Sequence, residues 1–116
     1  MRARKKSKSG VLPTNELLDI IKKTLEDSKT IDIIVIDLEG KTDITDKMII
    51  SEGRSDRHIR SIAEHLITKL KEIGQPYIVE GLQTGEWVLV DAYSVIVHIF
   101  HKETREKYKL ENLWQS

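Results

Sequence analysis

The chain has 116 residues, of which 39% are hydrophobic and 33% are charged, and it contains no cysteine. This length predicts a single domain with one hydrophobic core. The absence of cysteine excludes disulfides and any zinc or redox site built on thiolates, and it suits the reducing cytoplasm in which we expect the protein to act. No apolar run approaches the roughly 20 residues of a membrane helix, so we expect no membrane partner.

The formal net charge of zero conceals an asymmetry between the two parts of the chain. Residues 1–13 carry five basic side chains and no acid, so residues 14–116 have 14 basic and 19 acidic residues and a net charge of −5. We interpret 1–13 as a disordered basic tail and 14–116 as the folded domain. The tail either only solubilises the protein or adds a weak, salt-dependent contact with RNA phosphates.

The first part of the chain predicts one helix and two strands. Thr14 or Asn15 is a suitable N-cap for an amphipathic helix that continues to about residue 28. Residues 30–37 (TIDIIVID) are rich in isoleucine and predict a strand, and their near-continuous hydrophobicity predicts burial on both faces. Residues 47–51 (KMIIS) predict a second strand.

The middle of the chain contains the clearest helix signal. Ser55 is a good N-cap, a long apolar stripe follows at helical spacing, and Gly74 with Pro76 ends the helix. Residues 77–81 (YIVEG) predict a third strand.

A hairpin and a short helix complete the predicted elements. Strands at 86–91 and 95–100 are joined by a turn of about four residues. Residues 103–109 predict a short charged helix, after which Leu110, Leu113 and Trp114 are expected to fold back on the body.

The order of these elements predicts a single α/β domain with a mixed sheet of about five strands, two main helices and a short C-terminal helix. Both strands of the hairpin are apolar on both faces, whereas two long helices do not cover both faces of such a sheet. We therefore expect one face to be incompletely covered, which favours a surface for a partner.

The search for a catalytic site gives only a weak alternative. The turn at 51–55 precedes a helix, but its single glycine matches neither the dinucleotide-binding nor the P-loop pattern. We interpret it as an ordinary capped turn. The alternative function is a small metal-dependent nucleotidyl or phosphoryl transferase that would use Asp43, Asp46 and the turn at 53–55.

The histidines do not predict a metal site. His58 and His65 are seven positions apart on the long helix, too far to share a metal ion without further ligands. His98 shares a strand face with Ile96 and Phe100, and we expect it to be hydrogen-bonded and partly buried. We predict no metal and no cofactor.

One face of the hairpin has the composition of a binding surface. The strand period places Trp87, Leu89 and Asp91 on the same face, with Tyr93 in the turn just beyond. Aromatic and aliphatic side chains beside an acid are typical of interface hot spots. The same pattern would also fit Trp87 and Leu89 packed under a helix, and the periodicity leaves both interpretations open.

Seven motifs carry a family resemblance, in the following order: DKM at 46–48, SEGRSDR at 51–57, EG at 80–81, GEWVLVD at 85–91, VHIF at 97–100, ETRE at 103–106 and LENLW at 110–114. Their order and spacing resemble the ribosomal silencing factor family, also called Iojap-like, over essentially all of residues 14–116. The resemblance implies an α/β domain related to nucleotidyltransferases but without their catalytic residues. It therefore implies that the protein is not an enzyme.

The resemblance also implies a function. Members bind the large ribosomal subunit through its fourteenth protein, at the subunit interface, and sterically prevent the small subunit from joining. This represses translation when nutrients are short, as a stress response. The contact strand maps to Trp87, Leu89 and Asp91, and Asp91 would meet a basic group of the ribosomal protein.

The hairpin turn departs from the family pattern. Members usually have a Gly-Asp pair where this chain has Tyr93-Ser94, and glycine there would allow a positive φ. The departure affects the role of Tyr93 at the rim of the contact surface. An exposed apolar face also permits a homodimer of the free protein, which would have to open before it meets the ribosome.

Overall fold

The computed structural model describes residues 12–110 and residue 112. In chain order the elements are α1 Thr14–Asp27, β1 Ile31–Asp37, β2 Lys47–Glu52, α2 Asp56–Glu72, β3 Ile78–Glu80, β4 Trp87–Asp91, β5 Val95–Phe100 and α3 Lys102–Tyr108. This order confirms the predicted α/β class, and α3 begins and ends one residue earlier than expected. Most of the predicted basic tail, together with Leu113 and Trp114, lies outside the described residues.

The five strands form one mixed sheet in the order β1-β2-β5-β4-β3. The two central neighbours β2 and β5 are parallel, and the other neighbouring pairs are antiparallel. The strands β2 and β3 therefore run in the same direction, with the hairpin of β4 and β5 inserted between them. This insertion places the hairpin in the middle of the sheet.

The strand β1 is an edge strand, and the prediction that both of its faces are buried is wrong. Ile36 is its one buried residue, and Val35 is 37% exposed. The strand pairs only with β2, and its register shifts between Ile31 and Ile34, where Asp32 has a positive φ of 50°. Isoleucine-rich sequence fits an edge strand as well as a central one, so position in the sheet decides the burial.

Two apolar clusters lie on opposite faces of the sheet. On one face, α1 and α2 cover the inward side chains of β2, β4 and β5, and the larger cluster is fully buried there. On the other face the smaller cluster is formed by Ile36, Leu38, Met48, Ile50 and Phe100. Trp87 and Leu110 pack against this second cluster.

The helix α2 begins and ends where the sequence predicts. The Ser55 hydroxyl accepts a hydrogen bond from the backbone N–H of His58, as an N-cap does. Gly74 follows the helix with a φ of +72°. Buried Gln75 then donates to the Ala92 carbonyl at 3.2 Å and fixes this end of the helix to the hairpin turn.

A buried ion pair holds α3 against the edge of the sheet. The Arg105 guanidinium donates to a Glu52 carboxylate oxygen at 2.9 Å and to the Asp32 carbonyl at 2.8 Å. The Arg105 and Glu52 side chains are only 6% and 11% exposed. The contact joins α3 to β1 and β2. The helix α3 therefore covers one end of the second face, which is the face of the sheet opposite α1 and α2.

We expect Arg105→Met to lower the free energy of unfolding by about 3–5 kcal/mol, because it leaves the Glu52 carboxylate buried without its partner. Urea denaturation at neutral pH measures this. The control is Lys69→Met, which removes an exposed ion pair with Glu72 and should cost less than about 1 kcal/mol. Equal losses in the two variants would show that Arg105 does not hold α3 in this way.

Candidate functional site

The strand β4 divides its side chains between the two faces of the sheet. Val88 and Val90 are fully buried under the helices, whereas Trp87, Leu89 and Asp91 are half-buried on the opposite face. Trp87 and Leu89 therefore do not pack under α1 or α2. The face left open by the two long helices is the one that carries the predicted site residues.

Trp87 is held in place by contacts within the protein. Its indole Nε1–H donates to His98 Nδ1 at 3.0 Å, and its ring centroid lies 5.3 Å from that of Phe100 and 5.0 Å from that of Tyr108. Tyr108 belongs to α3 and is itself 49% exposed. Trp87 thus combines a structural role under α3 with a position at the edge of the open face.

His98 is hydrogen-bonded and partly buried, which confirms the expectation from the sequence. Burial lowers the pKa of its imidazole from 6.5 to about 4, because the charged form loses its hydration. Nδ1 accepts the bond from Trp87, so the neutral ring carries its proton on Nε2. A protonated Nδ1 would face the indole N–H donor to donor, and the bond would be lost.

The neighbouring strand β3 adds two residues that the sequence did not indicate as site residues. Ile78 lies opposite Asp91, and Glu80 lies opposite Leu89, so all four side chains share the open face. Ile78 is 51% exposed. Ile78 and Leu89 form an apolar diagonal that is crossed by the acidic diagonal of Glu80 and Asp91. The register of β3 on β4 brings them together, and no local sequence signal specifies that register.

The hairpin turn consists of the three residues that the predicted strand ends leave, 92–94, and Tyr93 adopts the backbone conformation that glycine favours. Its φ is 75°, and its N–H donates to Asp91 Oδ1 at 2.9 Å. The Ala92 N–H donates to the Val95 carbonyl at 2.9 Å and closes the turn. The chain therefore retains a positive φ here without glycine, and the Asp91 side chain supports it.

Asp46 and Gly53, two members of the alternative transferase site, have structural roles. The Asp46 carboxylate accepts from the Thr14 hydroxyl at 2.8 Å and ties its loop to α1. Gly53 is required by packing, because an added Cβ would lie 2.6 Å from Ile59 Cγ1. Asp43 is exposed. Within residues 12–110 and 112, no group of three or more His, Asp or Glu side chains is arranged to hold a metal ion.

The two histidines of α2 connect this helix to the end of α1. His58 Nδ1 accepts from the Arg54 N–H at 2.9 Å, so its Nε2 donates to the Ser28 carbonyl at 3.0 Å. His65 Nδ1 lies 3.0 Å from the Ser28 hydroxyl. Both side chains pack α1 on α2.

In the part of the chain that the structure describes, no helix is long and apolar enough to cross a membrane.

Comparisons with known proteins agree on one family. The family model described as "Ribosomal silencing factor during starvation" matches residues 12–116. A Haemophilus influenzae protein named "Ribosomal silencing factor RsfS" is 41% identical over 99 residues, which span 84% of this chain and 97% of the relative. A crystal structure of a Chromobacterium violaceum protein superposes with a TM-score of 0.86 at 38% identity, covering 89% of this chain and 87% of that one.

A more distant relative is longer than this chain. The mouse protein named "Mitochondrial assembly of ribosomal large subunit protein 1" is 33% identical over 101 residues, which cover 84% of this chain and 44% of the relative. The names of these relatives describe regulatory or assembly roles, not catalytic ones.

The fold and the site thus define a small α/β domain that presents one partly uncovered sheet face. The chain belongs to the family of ribosomal silencing factors that act during starvation, as the match over residues 12–116 shows.

We expect Tyr93→Gly to be more stable than Tyr93→Ala by about 1 kcal/mol, because a positive φ costs an L residue that much more than it costs glycine. Both variants lose the tyrosine ring, so the difference isolates the backbone. Thermal and urea denaturation measure it. If the Tyr93→Ala and Tyr93→Gly variants were equally stable, residue 93 would not have a positive φ in the folded protein.

We expect stability to fall as the pH drops from about 6.5 to about 4, by on the order of 3 kcal/mol from His98 alone. The pKa of His98 is lower in the folded protein than in the unfolded chain, so the unfolded chain binds a proton at a higher pH. Protonation therefore stabilises the unfolded state between about pH 6.5 and about pH 4. The difference in unfolding free energy between wild type and His98→Gln, followed across this pH range, isolates the effect. An equally steep fall in His98→Gln would contradict the prediction.

Proposed function

We propose that this protein represses translation by binding the large ribosomal subunit and sterically preventing the small subunit from joining. The docking face consists of Ile78, Glu80, Leu89, Asp91 and Tyr93, with Trp87 at its edge. Its occupant is the fourteenth protein of the large subunit. The observation that carries the proposal is the sheet face that α1 and α2 leave open, with a partly exposed apolar diagonal at its centre.

The composition of the docking face suits a protein partner. Ile78 and Leu89 provide apolar area that binding would remove from water, and burial of such area is the main favourable term in association. Glu80 and Asp91 flank it with carboxylates. Ribosomal proteins that lie among RNA phosphates are rich in lysine and arginine, so acidic side chains at the rim give charge complementarity.

The charge of the whole domain agrees with a basic partner. Residues 14–116 have a net charge of −5, which would steer the folded body towards a basic surface and away from bare RNA. Contact with a ribosomal protein is therefore favoured over contact with RNA for most of this surface. The basic tail within residues 1–13 adds a salt-dependent RNA contact.

Family membership supports the choice of the ribosome as the target. The relatives are named as ribosomal silencing factors, and the name of the mouse relative refers to the large ribosomal subunit. The repressor acts in the cytoplasm, where the subunits meet. A homodimer through the docking face would compete with ribosome binding.

Repression by exclusion needs no chemistry at the site. The two ribosomal subunits must approach to hydrogen-bonding distance of about 3 Å to form their contacts. The thinnest dimension of this protein is 22 Å. A body of that thickness, bound on the interface side of the large subunit, keeps the contacts around it from forming.

We expect the double variant Ile78→Ala/Leu89→Ala to bind large subunits at least ~2 kcal/mol more weakly than wild type, a loss of about 30-fold, because the apolar centre of the docking face is removed. Co-sedimentation with purified large subunits measures the affinity. Sucrose gradients of mixed small and large subunits measure how much more subunit joining the variant permits than wild type does. Trp87→Ala is a less direct probe, because it also removes the bond to His98 and the contact with Tyr108.

The matched control is Val35→Ala, which shortens an exposed aliphatic side chain on β1, away from the docking face. It should bind and repress as wild type does. Wild-type binding by a folded Ile78→Ala/Leu89→Ala protein would rule out this face as the docking site.

A further inference from the structure

Three arginines cluster around the first turn of α2, outside the docking face. Arg54 and Arg57 are exposed, and among the described residues their guanidinium groups have no hydrogen bond or ion pair. Arg60 is half-buried and donates to the carbonyls of Gln83 and Thr84 at 3.4 and 3.2 Å. One of the three cations therefore has a structural partner, and the other two face solvent.

The acids near this cluster form no ion pair with its arginines. The Asp56 carboxylate is bonded to His101 Nε2. Glu64 also lines the open depression that contains Arg54 and Arg57, but it forms no ion pair with either of them. The cluster is thus a local basic patch on a domain whose residues 14–116 carry a net charge of −5.

The position of the two free arginines is unfavourable for the helix. Arg57 is the second residue of α2, and Arg54 immediately precedes the N-cap Ser55. Cations at a helix N-terminus are repelled by the positive end of the helix dipole. Neither guanidinium gains a hydrogen bond or ion pair within the described residues that would offset this repulsion, so their placement requires another explanation.

The patch lies at the same end of the sheet as Trp87, which borders the docking face. Glu52, at the end of β2, is in register with Phe100, and Phe100 is in register with Trp87. The loop before β4 packs on the first turn of α2, since a Cβ on Gly85 would lie 2.9 Å from the Asp56 carbonyl oxygen. The patch therefore lies beyond the Trp87 edge of the docking face and on the side of the sheet that α2 covers, so it would meet a part of the ribosome next to the partner of the docking face.

We propose that Arg54 and Arg57 bind the phosphate backbone of ribosomal RNA beside the protein that occupies the docking face. This inference rests on the proposed function and adds a second, RNA-directed contact to it. Guanidinium groups form charge-assisted, bidentate hydrogen bonds with phosphate oxygens, and the N-terminus of α2 adds positive potential. The open shape of the depression suits a strand of successive phosphates better than an enclosed nucleotide.

The test measures the affinity of Arg54→Gln/Arg57→Gln for purified large subunits over a range of salt concentrations. Each lost phosphate contact should reduce the slope of log K against log[salt] by roughly 1, so the double variant should lose up to about 2. The matched control is Lys69→Gln/Lys71→Gln, which removes the same charge from the other end of α2 and should leave the slope unchanged. An unchanged slope in the arginine variant would overturn the proposal.

Two further measurements separate this proposal from its alternatives. Arg54→Gln/Arg57→Gln should melt at the wild-type temperature or higher, whereas a lower melting temperature would make the arginines structural and overturn the inference. The same variant should bind the isolated fourteenth large-subunit protein as wild type does. Weaker binding there would mean that the patch contacts protein instead of RNA. If wild type bound neither the subunit nor this protein, the proposed function itself would fail.

Discussion

The hydrogen bond from the Trp87 indole to His98 is the interaction on which the candidate site depends. It links the first residue of β4 to the middle of β5, and it requires an imidazole that remains neutral in a partly buried position. Through it, the most bulky side chain of the open face is packed against Phe100 and under Tyr108. Leu89 and Asp91 then follow on the same face at the strand period, beyond the part that α3 covers.

The second face of the sheet is consequently divided into two regions. At one end, Arg105 binds Glu52 and holds α3 over the smaller apolar cluster. At the other end, Ile78 and Leu89 have no helix above them among the described elements. A third long helix would be needed to cover this face as α1 and α2 cover the other. Its absence from the described elements makes the open region the natural place for a partner.

Much of the fold could be predicted because its signals are local. The helix α2 has a good N-cap in Ser55 and a stop at Gly74, and both act over a few residues. The strands β4 and β5 were predicted from their β-branched and aromatic residues, and their predicted ends agree with the structure to within one residue. The environment of His98 followed from its place between Ile96 and Phe100 on one face of a strand.

The remaining features depend on pairings that are distant in sequence. The exposure of β1 follows from its position at the sheet edge, which an isoleucine-rich segment does not specify. Ile78 and Glu80 join the site only through the register of β3 on β4. Arg105 and Glu52 are 53 residues apart, and a charged helix gives no sign that one of its arginines is buried. Periodicity placed Leu89 and Asp91 on one face but left core and interface both open, and the family resemblance favoured the interface.

Site-specific photo-crosslinking tests the central claim most directly. A photoreactive phenylalanine derivative replaces Leu89 in one protein and the exposed Thr68, on the helical side of the sheet, in another. Each protein is irradiated with large ribosomal subunits, and the adducts are identified by mass spectrometry. The account predicts an adduct between position 89 and the fourteenth large-subunit protein, and none from position 68. An adduct from position 68 with no adduct from position 89 would contradict it.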